Sequence, residues 1–184
     1  MKKVAAIIGG GVIGAGWLAR FLINGWDVRV FDKDPQVERK VDEVLLNARR
    51  ALPMLYDFTL PEEGSLYFCS TLKDAVEDAL WIQESVPERL DIKHAVVSEI
   101  QQYCKKKAVI GSSTSGFMAS QLQEKSSFPD QIMVCHPFNP VYLLPLVEVV
   151  PGRLTSDEHF KSAKKFLTEV GFFPLHVRKE IDAH

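Results

Sequence analysis

The sequence has few cysteines, no long apolar run and almost no excess charge. Its three cysteines form neither a CxxC pair nor a Cys/His spacing typical of metal ligands, so no structural metal is expected. No stretch approaches the ~20 apolar residues of a membrane-spanning helix, and the glycines after Ile8 interrupt any signal peptide. A net charge of −2 gives no electrostatic reason to expect nucleic acid or membrane as partner. These features predict a cytoplasmic protein with reduced thiols.

The sequence instead contains a regular alternation of apolar runs and amphipathic stretches of helical length. This alternation predicts an α/β fold, a doubly wound and mostly parallel sheet with helices on both faces. The predicted strands are Val4–Ile8, Asp27–Phe31, Leu66–Cys69, Leu80–Glu84, Ala108–Gly111, Ile132–Cys135, Leu146–Val149 and Phe173–Val177. The predicted helices are Val12–Ile23, Pro35–Leu52, Glu88–Tyr103 and Ser156–Val170. A short helical arm or loop is expected near residues 45–64.

A glycine-rich loop joins the first predicted strand to the first predicted helix. Gly9, Gly11 and Gly14 fit G-x-G-x-x-G, and Val12 and Ile13 complete the loop. In this context the glycines permit a tight turn, close approach of a pyrophosphate and close helix–strand packing. The motif predicts a dinucleotide site and a Rossmann-type sheet, although FAD proteins share it and a glycine turn can bind nothing.

Asp32 closes the second predicted strand, about 20 residues beyond the loop, where a carboxylate binds the adenosine ribose. The negative charge of Asp32 would repel a 2′-phosphate, so NAD is favoured over NADP. The positive charge of Lys33 weakens this preference slightly.

Two polar segments follow later strands. Residues 112–116 read Ser-Ser-Thr-Ser-Gly, and residues 135–140 read Cys-His-Pro-Phe-Asn-Pro, with Glu148 further on. Both are expected at the carboxyl ends of parallel strands, where open α/β sheets bind ligands. A histidine beside a carboxylate can take a hydroxyl proton while a cofactor takes the hydride. By themselves, His136 is also compatible with a turn residue and the serines with a plain loop or helix cap.

Together, in order and spacing, these motifs resemble the NAD-binding domain of the L-3-hydroxyacyl-CoA dehydrogenase superfamily. The resemblance covers essentially all 184 residues. It implies that Glu88 and Lys93 contact the nicotinamide side of NAD. It also implies four catalytic residues: Ser115, His136, Asn139 and Glu148. In the implied mechanism His136 is the general base, Glu148 holds its imidazole, Ser115 hydrogen-bonds the reacting oxygen, and Asn139 positions His136 or the substrate.

Within the superfamily, residues 81–90 and 139–148 are most similar to the L-carnitine 3-dehydrogenase branch, and lambda-crystallin and L-gulonate 3-dehydrogenase are similar too. Residues 112–115 read Ser-Ser-Thr-Ser where acyl-CoA enzymes usually carry Ser-Asn-Thr-Ser. The arm carries only Arg49 and Arg50 to hold a coenzyme A tail. The expected reaction is therefore oxidation of L-carnitine to 3-dehydrocarnitine, with Phe138 and Tyr142 as candidate faces for its quaternary ammonium. Oxidation of 3-hydroxybutyryl-CoA or L-gulonate, or a non-catalytic crystallin-like role, remains open.

Enzymes of this superfamily carry an all-helical second domain that dimerises and closes over the cleft. No segment of residues 1–184 resembles it, so the chain is expected to be the cofactor-binding part of a larger homodimeric enzyme and to turn over poorly alone. The expected partner is a small hydroxy acid or an acyl-CoA. His94 and His159 are expected to face solvent.

Overall fold

A computed structural model describes residues 2–181, which form one eight-stranded sheet with helices on both faces. The strands are β1 Val4–Ile8, β2 Asp27–Phe31, β3 Leu66–Phe68, β4 Trp81–Glu84, β5 Val109–Ser112, β6 Ile132–Pro137, β7 Leu146–Pro151 and β8 Phe173–His176. The helices are α1 Val12–Ile23, α2 Val37–Ala51, α3 Leu72–Val76, α4 Leu90–Tyr103, α5 Ala119–Gln123 and α6 Asp157–Glu169, with 3₁₀ turns at Leu52–Leu55 and Pro129–Gln131. The predicted doubly wound, mostly parallel fold is confirmed.

The strand order of the sheet reverses between β1 and β4. The order is β3-β2-β1-β4-β5-β6-β7-β8, and neighbouring strands from β3 to β6 are all parallel. Only β7 runs antiparallel to its neighbour β6, and β8 is parallel to β7. The chain moves outward from β1 to β3 and then returns to β4 on the other side. This reversal opens a crevice at the carboxyl ends of β1 and β4, where doubly wound sheets bind dinucleotides.

Two apolar layers cover the sheet, and alternate residues of β1 supply both. Ala5 and Ile7 pack on the side of α1, α2 and α6, whereas Ala6 and Ile8 pack on the side of α3, α4 and α5. This period of two is the geometry of a strand buried on both faces. On the first side, the ring of Trp17 lies with its centroid 4.9 Å from Phe172 and 6.0 Å from Trp81. Aromatic packing thus fixes α1 against the sheet.

Most predicted elements differ from the structure by one or two residues at their ends, and four differences bear on the site or add an element. Strand β6 continues through His136 to Pro137, so the histidine belongs to the strand. Helix α4 begins at Leu90 and leaves Glu88 in the preceding loop. Helices α3 and α5 were not predicted, because five residues are too few to show a helical period.

The expectation that two histidines face solvent is wrong. His94 and His159 are 8 % and 6 % exposed, respectively. His94 Nε2 lies 2.7 Å from the carbonyl oxygen of Gln121, and His159 Nε2 lies 2.9 Å from that of Lys106. The His94 imidazole therefore links α4 to α5, and the His159 imidazole links α6 to the turn before β5.

The longest helix of residues 2–181, α2, has 15 residues, and none of their helices is long and apolar enough to cross a membrane.

Candidate functional site

The glycine loop has the geometry that a dinucleotide pyrophosphate needs. Gly9 has φ +96°, and a Cβ there would lie 2.5 Å from the carbonyl oxygen of Ser85. A Cβ on Gly14 would lie 1.8 Å from the carbonyl oxygen of Gly9. The fold itself therefore requires these two glycines. A Cβ on Gly11, in contrast, would have no atom within 4 Å among the described residues, because the loop faces open space there.

That open space lies in front of the N-terminus of α1. Gly11 is the N-cap residue, no side chain of the described chain caps this end, and its first turn holds no acidic residue. Its backbone N–H groups at Val12 and Ile13, with the positive end of the helix dipole, suit an anion. The loop thus fits the pyrophosphate of a dinucleotide.

Asp32 joins the end of β2 to this loop. Its Oδ2 accepts a hydrogen bond from the Gly10 N–H at 2.6 Å, and its Oδ1 accepts one from the Asp34 N–H at 2.8 Å. A cavity of about 720 Å³ opens beside it, between the loop, residues 32–34, residues 85–87 and one face of α4. Carboxylates outnumber ammonium groups in its lining, namely Asp32, Asp34 and Glu99 against Lys33 and Lys40. This lining favours a ribose hydroxyl over a 2′-phosphate.

The ammonium group of Lys40 forms an ion pair with Asp34, which makes it a poorer partner for a 2′-phosphate. The hydrogen bond and the charge of Lys40 hold the pKa of the Asp34 carboxyl below its usual value, so this carboxyl is ionised at neutral pH.

His136 and Glu148 lie directly opposite each other in the antiparallel pair of β6 and β7. His136 Nδ1 is 2.9 Å from Glu148 Oε2, and their side chains are 17 % and 23 % exposed. Donation from Nδ1–H to the carboxylate selects the tautomer whose lone pair lies on Nε2. The ring of Phe138, two residues on, packs edge-on at a centroid distance of 5.5 Å.

Glu88 organises the turn that carries Ser115. Its Oε1 accepts hydrogen bonds from the N–H groups of Ser115 at 3.1 Å and Gly116 at 2.9 Å, and from the Thr114 hydroxyl. Partial burial alone would raise the pKa of the Glu88 carboxyl. The Thr114 hydrogen bond, the charge of Lys93 and the Gly116 N–H outweigh that effect and hold the pKa below its usual value. Ser115 itself is exposed just beyond β5, next to the end of β6.

Lys93 lies beneath Glu88 rather than at the surface. Its side chain is 1 % exposed, and its Nζ lies 3.2 Å from Glu88 Oε2 and 2.9 Å from Glu84 Oε1. Glu84, fully buried at the end of β4, also accepts hydrogen bonds from the Ser112 hydroxyl and the Val86 N–H. Sequence analysis did not single out Glu84, although a carboxylate ending an apolar strand was a usable signal.

Two residues of α1 fix the loop that follows β6, and sequence analysis missed both. A Cβ on Gly16 would lie 2.7 Å from the Cβ of Val141, so the loop packs closely on the helix there. One turn later, buried Arg20 donates to the carbonyl oxygens of Tyr142 at 3.0 Å and Gly171 at 2.6 Å. An arginine inside an otherwise apolar helix was the available signal. Asn139 is exposed in the same loop.

Residues 4–181 match the family model for the NAD-binding domain of 3-hydroxyacyl-CoA dehydrogenase. The chain belongs to this family. Its cofactor is NAD, in agreement with the open glycine loop and the acidic cavity.

Two relatives and one solved structure agree with this family. The chain is 63 % identical to L-carnitine dehydrogenase/betainyl-CoA thioesterase of Ruegeria pomeroyi over 98 % of this chain and 37 % of that protein. It is 52 % identical to L-carnitine dehydrogenase of Mesorhizobium japonicum over 97 % of this chain and 50 % of that protein. A 5-formyl-3-hydroxy-2-methylpyridine 4-carboxylic acid 5-dehydrogenase, described as an NAD⁺-dependent dismutase, superposes with a TM-score of 0.90 at 28 % identity, over 100 % of this chain and 60 % of that one. The chain thus spans half or less of these two relatives.

Because Gly11 faces open space, a substitution there can weaken cofactor binding with little effect on folding. We expect Gly11→Ala to lower the free energy of unfolding by no more than about 1 kcal/mol, because alanine is a poorer N-cap than glycine but the added methyl meets no atom within 4 Å. The same methyl would hold a pyrophosphate away from α1, so NADH affinity should fall ~10-fold or more. Fluorescence titration with NADH and urea unfolding measure the two quantities. Unchanged NADH affinity in the folded variant would contradict the placement of the pyrophosphate.

Proposed function

We propose that the protein is an NAD-dependent 3-hydroxy dehydrogenase that oxidises L-carnitine to 3-dehydrocarnitine. The observation that carries the proposal is the 2.9 Å contact of His136 with Glu148. This contact lies at the carboxyl end of β6, on the same side of the sheet as the glycine loop at the carboxyl end of β1. The names of the two relatives, at 63 % and 52 % identity, support the choice of substrate.

His136 acts as the general base. Its Nε2 accepts the proton of the substrate's secondary hydroxyl, while Glu148 holds the ring through Nδ1 and stabilises the imidazolium that forms. NAD, when bound, accepts the hydride from the carbon that bears this hydroxyl. Loss of one proton and one hydride converts the alcohol to a ketone.

Ser115 and Asn139 assist His136. The exposed Ser115 hydroxyl donates a hydrogen bond to the reacting oxygen, and Glu88 keeps its turn in place through two backbone N–H groups. Asn139, three residues beyond His136, positions the substrate or the imidazole.

Of the two aromatic candidates, Phe138 is better placed to face the quaternary ammonium of carnitine. Its ring is 37 % exposed and packs against His136, so a cation on it would lie beside the reacting carbon. Tyr142 instead lines a separate concavity with Arg50, whose positive charge would repel an ammonium group.

The arm of residues 45–64, which includes the end of α2, offers a coenzyme A tail little positive charge. Arg49 forms an ion pair with Glu63, with Nε 3.1 Å from Oε2, and this partner raises the pKa of Arg49. Only Arg50 remains outside an ion pair among the described residues of this arm. This distribution favours the small substrate over an acyl-CoA.

The two relatives are longer than this chain, and the proposal therefore extends to the whole protein. We propose that residues 1–184 are the cofactor domain of a homodimer whose helical second domain completes the substrate site. Glu88 and Lys93 belong to the nicotinamide side of the cofactor site.

Replacement of the general base tests the mechanism. His136→Gln should lower the kcat for L-carnitine ~10²–10⁴-fold, the usual contribution of a general base, and leave NADH affinity nearly unchanged. NADH formation at 340 nm and NADH titration measure these effects. His176→Gln, at an exposed histidine on β8, is the matched control and should retain activity. A His136→Gln protein with most of its activity would remove His136 from the mechanism.

A substrate comparison tests the choice of carnitine. NADH formation is followed with L-carnitine, 3-hydroxybutyryl-CoA and L-gulonate at equal concentration. We expect L-carnitine to give the highest kcat/KM, because Phe138 suits a cation and the arm lacks phosphate-binding charge. Preference for the thioester would leave the His136 mechanism intact and refute the substrate argument. Tight NAD binding without turnover of any substrate would favour a non-catalytic role.

A further inference from the structure

Three ionisable side chains form a partly buried cluster at the ends of β4 and β5. The Lys93 ammonium lies between the carboxylates of Glu84 and Glu88, 2.9 Å from the first and 3.2 Å from the second. Glu84 and Lys93 are fully enclosed, whereas the Glu88 side chain is 42 % exposed. The cluster therefore has one exposed face, and Glu88 supplies it.

The charges of this cluster do not cancel. Two carboxylates share one ammonium, which leaves the cluster with a net charge of −1. Because Glu84 and Lys93 are enclosed, this net negative charge is exposed at Glu88. Its hydrogen bonds from Thr114 and Gly116 and the charge of Lys93 keep this carboxyl ionised at neutral pH.

The sheet topology determines which half of the cofactor meets this charge. A dinucleotide crosses the crevice at the reversal of strand order between β1 and β4. The ribose-binding carboxylate Asp32 ends β2 on one side of that point, so the adenosine half occupies that side. The nicotinamide half then lies over the ends of β4, β5 and β6, where Glu88 is the exposed member of the cluster. The nicotinamide ring is a cation in NAD⁺ and neutral in NADH.

We propose that the Glu84–Lys93–Glu88 cluster sets the cofactor's oxidation-state preference, because its net negative charge, exposed at Glu88, favours NAD⁺ over NADH. In this arrangement Glu84 and Lys93 are positioning residues that hold Glu88, and Glu88 contacts the cofactor. The cluster loses its attraction for the ring once the ring becomes neutral, which favours release of NADH. This inference rests on the proposed nicotinamide side of the site and is independent of the substrate.

The test is the ratio of two dissociation constants, Kd for NAD⁺ divided by Kd for NADH, measured by calorimetry on the whole chain. Glu88→Gln should raise this ratio roughly threefold to tenfold, since one half-exposed charge facing the ring is removed. The Gln amide oxygen can still accept the turn N–H groups, and circular dichroism verifies the fold. Glu88→Ala removes the same charge without an amide and should shift the ratio in the same direction.

Three controls separate charge from shape. Glu88→Asp keeps the charge and should keep the ratio, even if both affinities fall. Glu124→Gln removes an exposed carboxylate at the end of α5 and should leave the ratio unchanged. ADP-ribose lacks the nicotinamide, and its affinity should be the same in the wild type and in Glu88→Gln.

Two results would overturn the proposal. If Glu88→Gln weakens the binding of NAD⁺ and of NADH equally, Glu88 only holds the turn of Ser115 in place. Unchanged binding of both would also remove Glu88 from the cofactor contacts, while the proposed oxidation by His136 would stand on its own kinetics.

Discussion

The register between β6 and β7 is the constraint on which the reactive part of the structure depends. His136 and Glu148 meet only because these antiparallel residues are paired directly. A slip of one residue would turn one side chain to the opposite face of the sheet. The neighbouring pairs Cys135–Val149 and Val134–Val150 are buried, and their packing resists such a slip. The contact between His136 and Glu148 is thus held by buried apolar residues on either strand.

Helix α1 connects the cofactor site to the substrate side. Its first turn faces the pyrophosphate position at Gly11, and the same helix fixes the loop after β6 through Gly16 and Arg20. Burial lowers the pKa of Arg20, and its guanidinium is held by two carbonyl oxygens and the face of Phe172 at 4.6 Å. A shift of α1 on cofactor binding would therefore move the segment that follows His136.

Local patterns were sufficient to predict the fold, and the family resemblance supplied the candidate site residues. Apolar runs and the glycine loop identified the sheet, and the resemblance identified His136 and Glu148, whose contact the structure shows. The buried roles of Glu84, Arg20 and His94 were missed, because a local signal does not identify the partner that a side chain binds. Lys93 illustrates the difference: the resemblance implied a place on the nicotinamide side of the cofactor, and only the structure shows its ammonium buried under Glu88. Burial and long-range pairing are properties of packing, which no local pattern records.

The proposed function requires that the carboxyl ends of the central strands bring the nicotinamide to the His136–Glu148 pair. A crystal structure of the protein with NAD⁺ would show whether they do. We expect the pyrophosphate at the N-terminus of α1, and the nicotinamide over the ends of β4 to β6. Its C4 should face His136 Nε2 across a space that fits one small hydroxy acid. A nicotinamide ring on the β2 side of the crevice, or turned away from His136, would refute the proposed function.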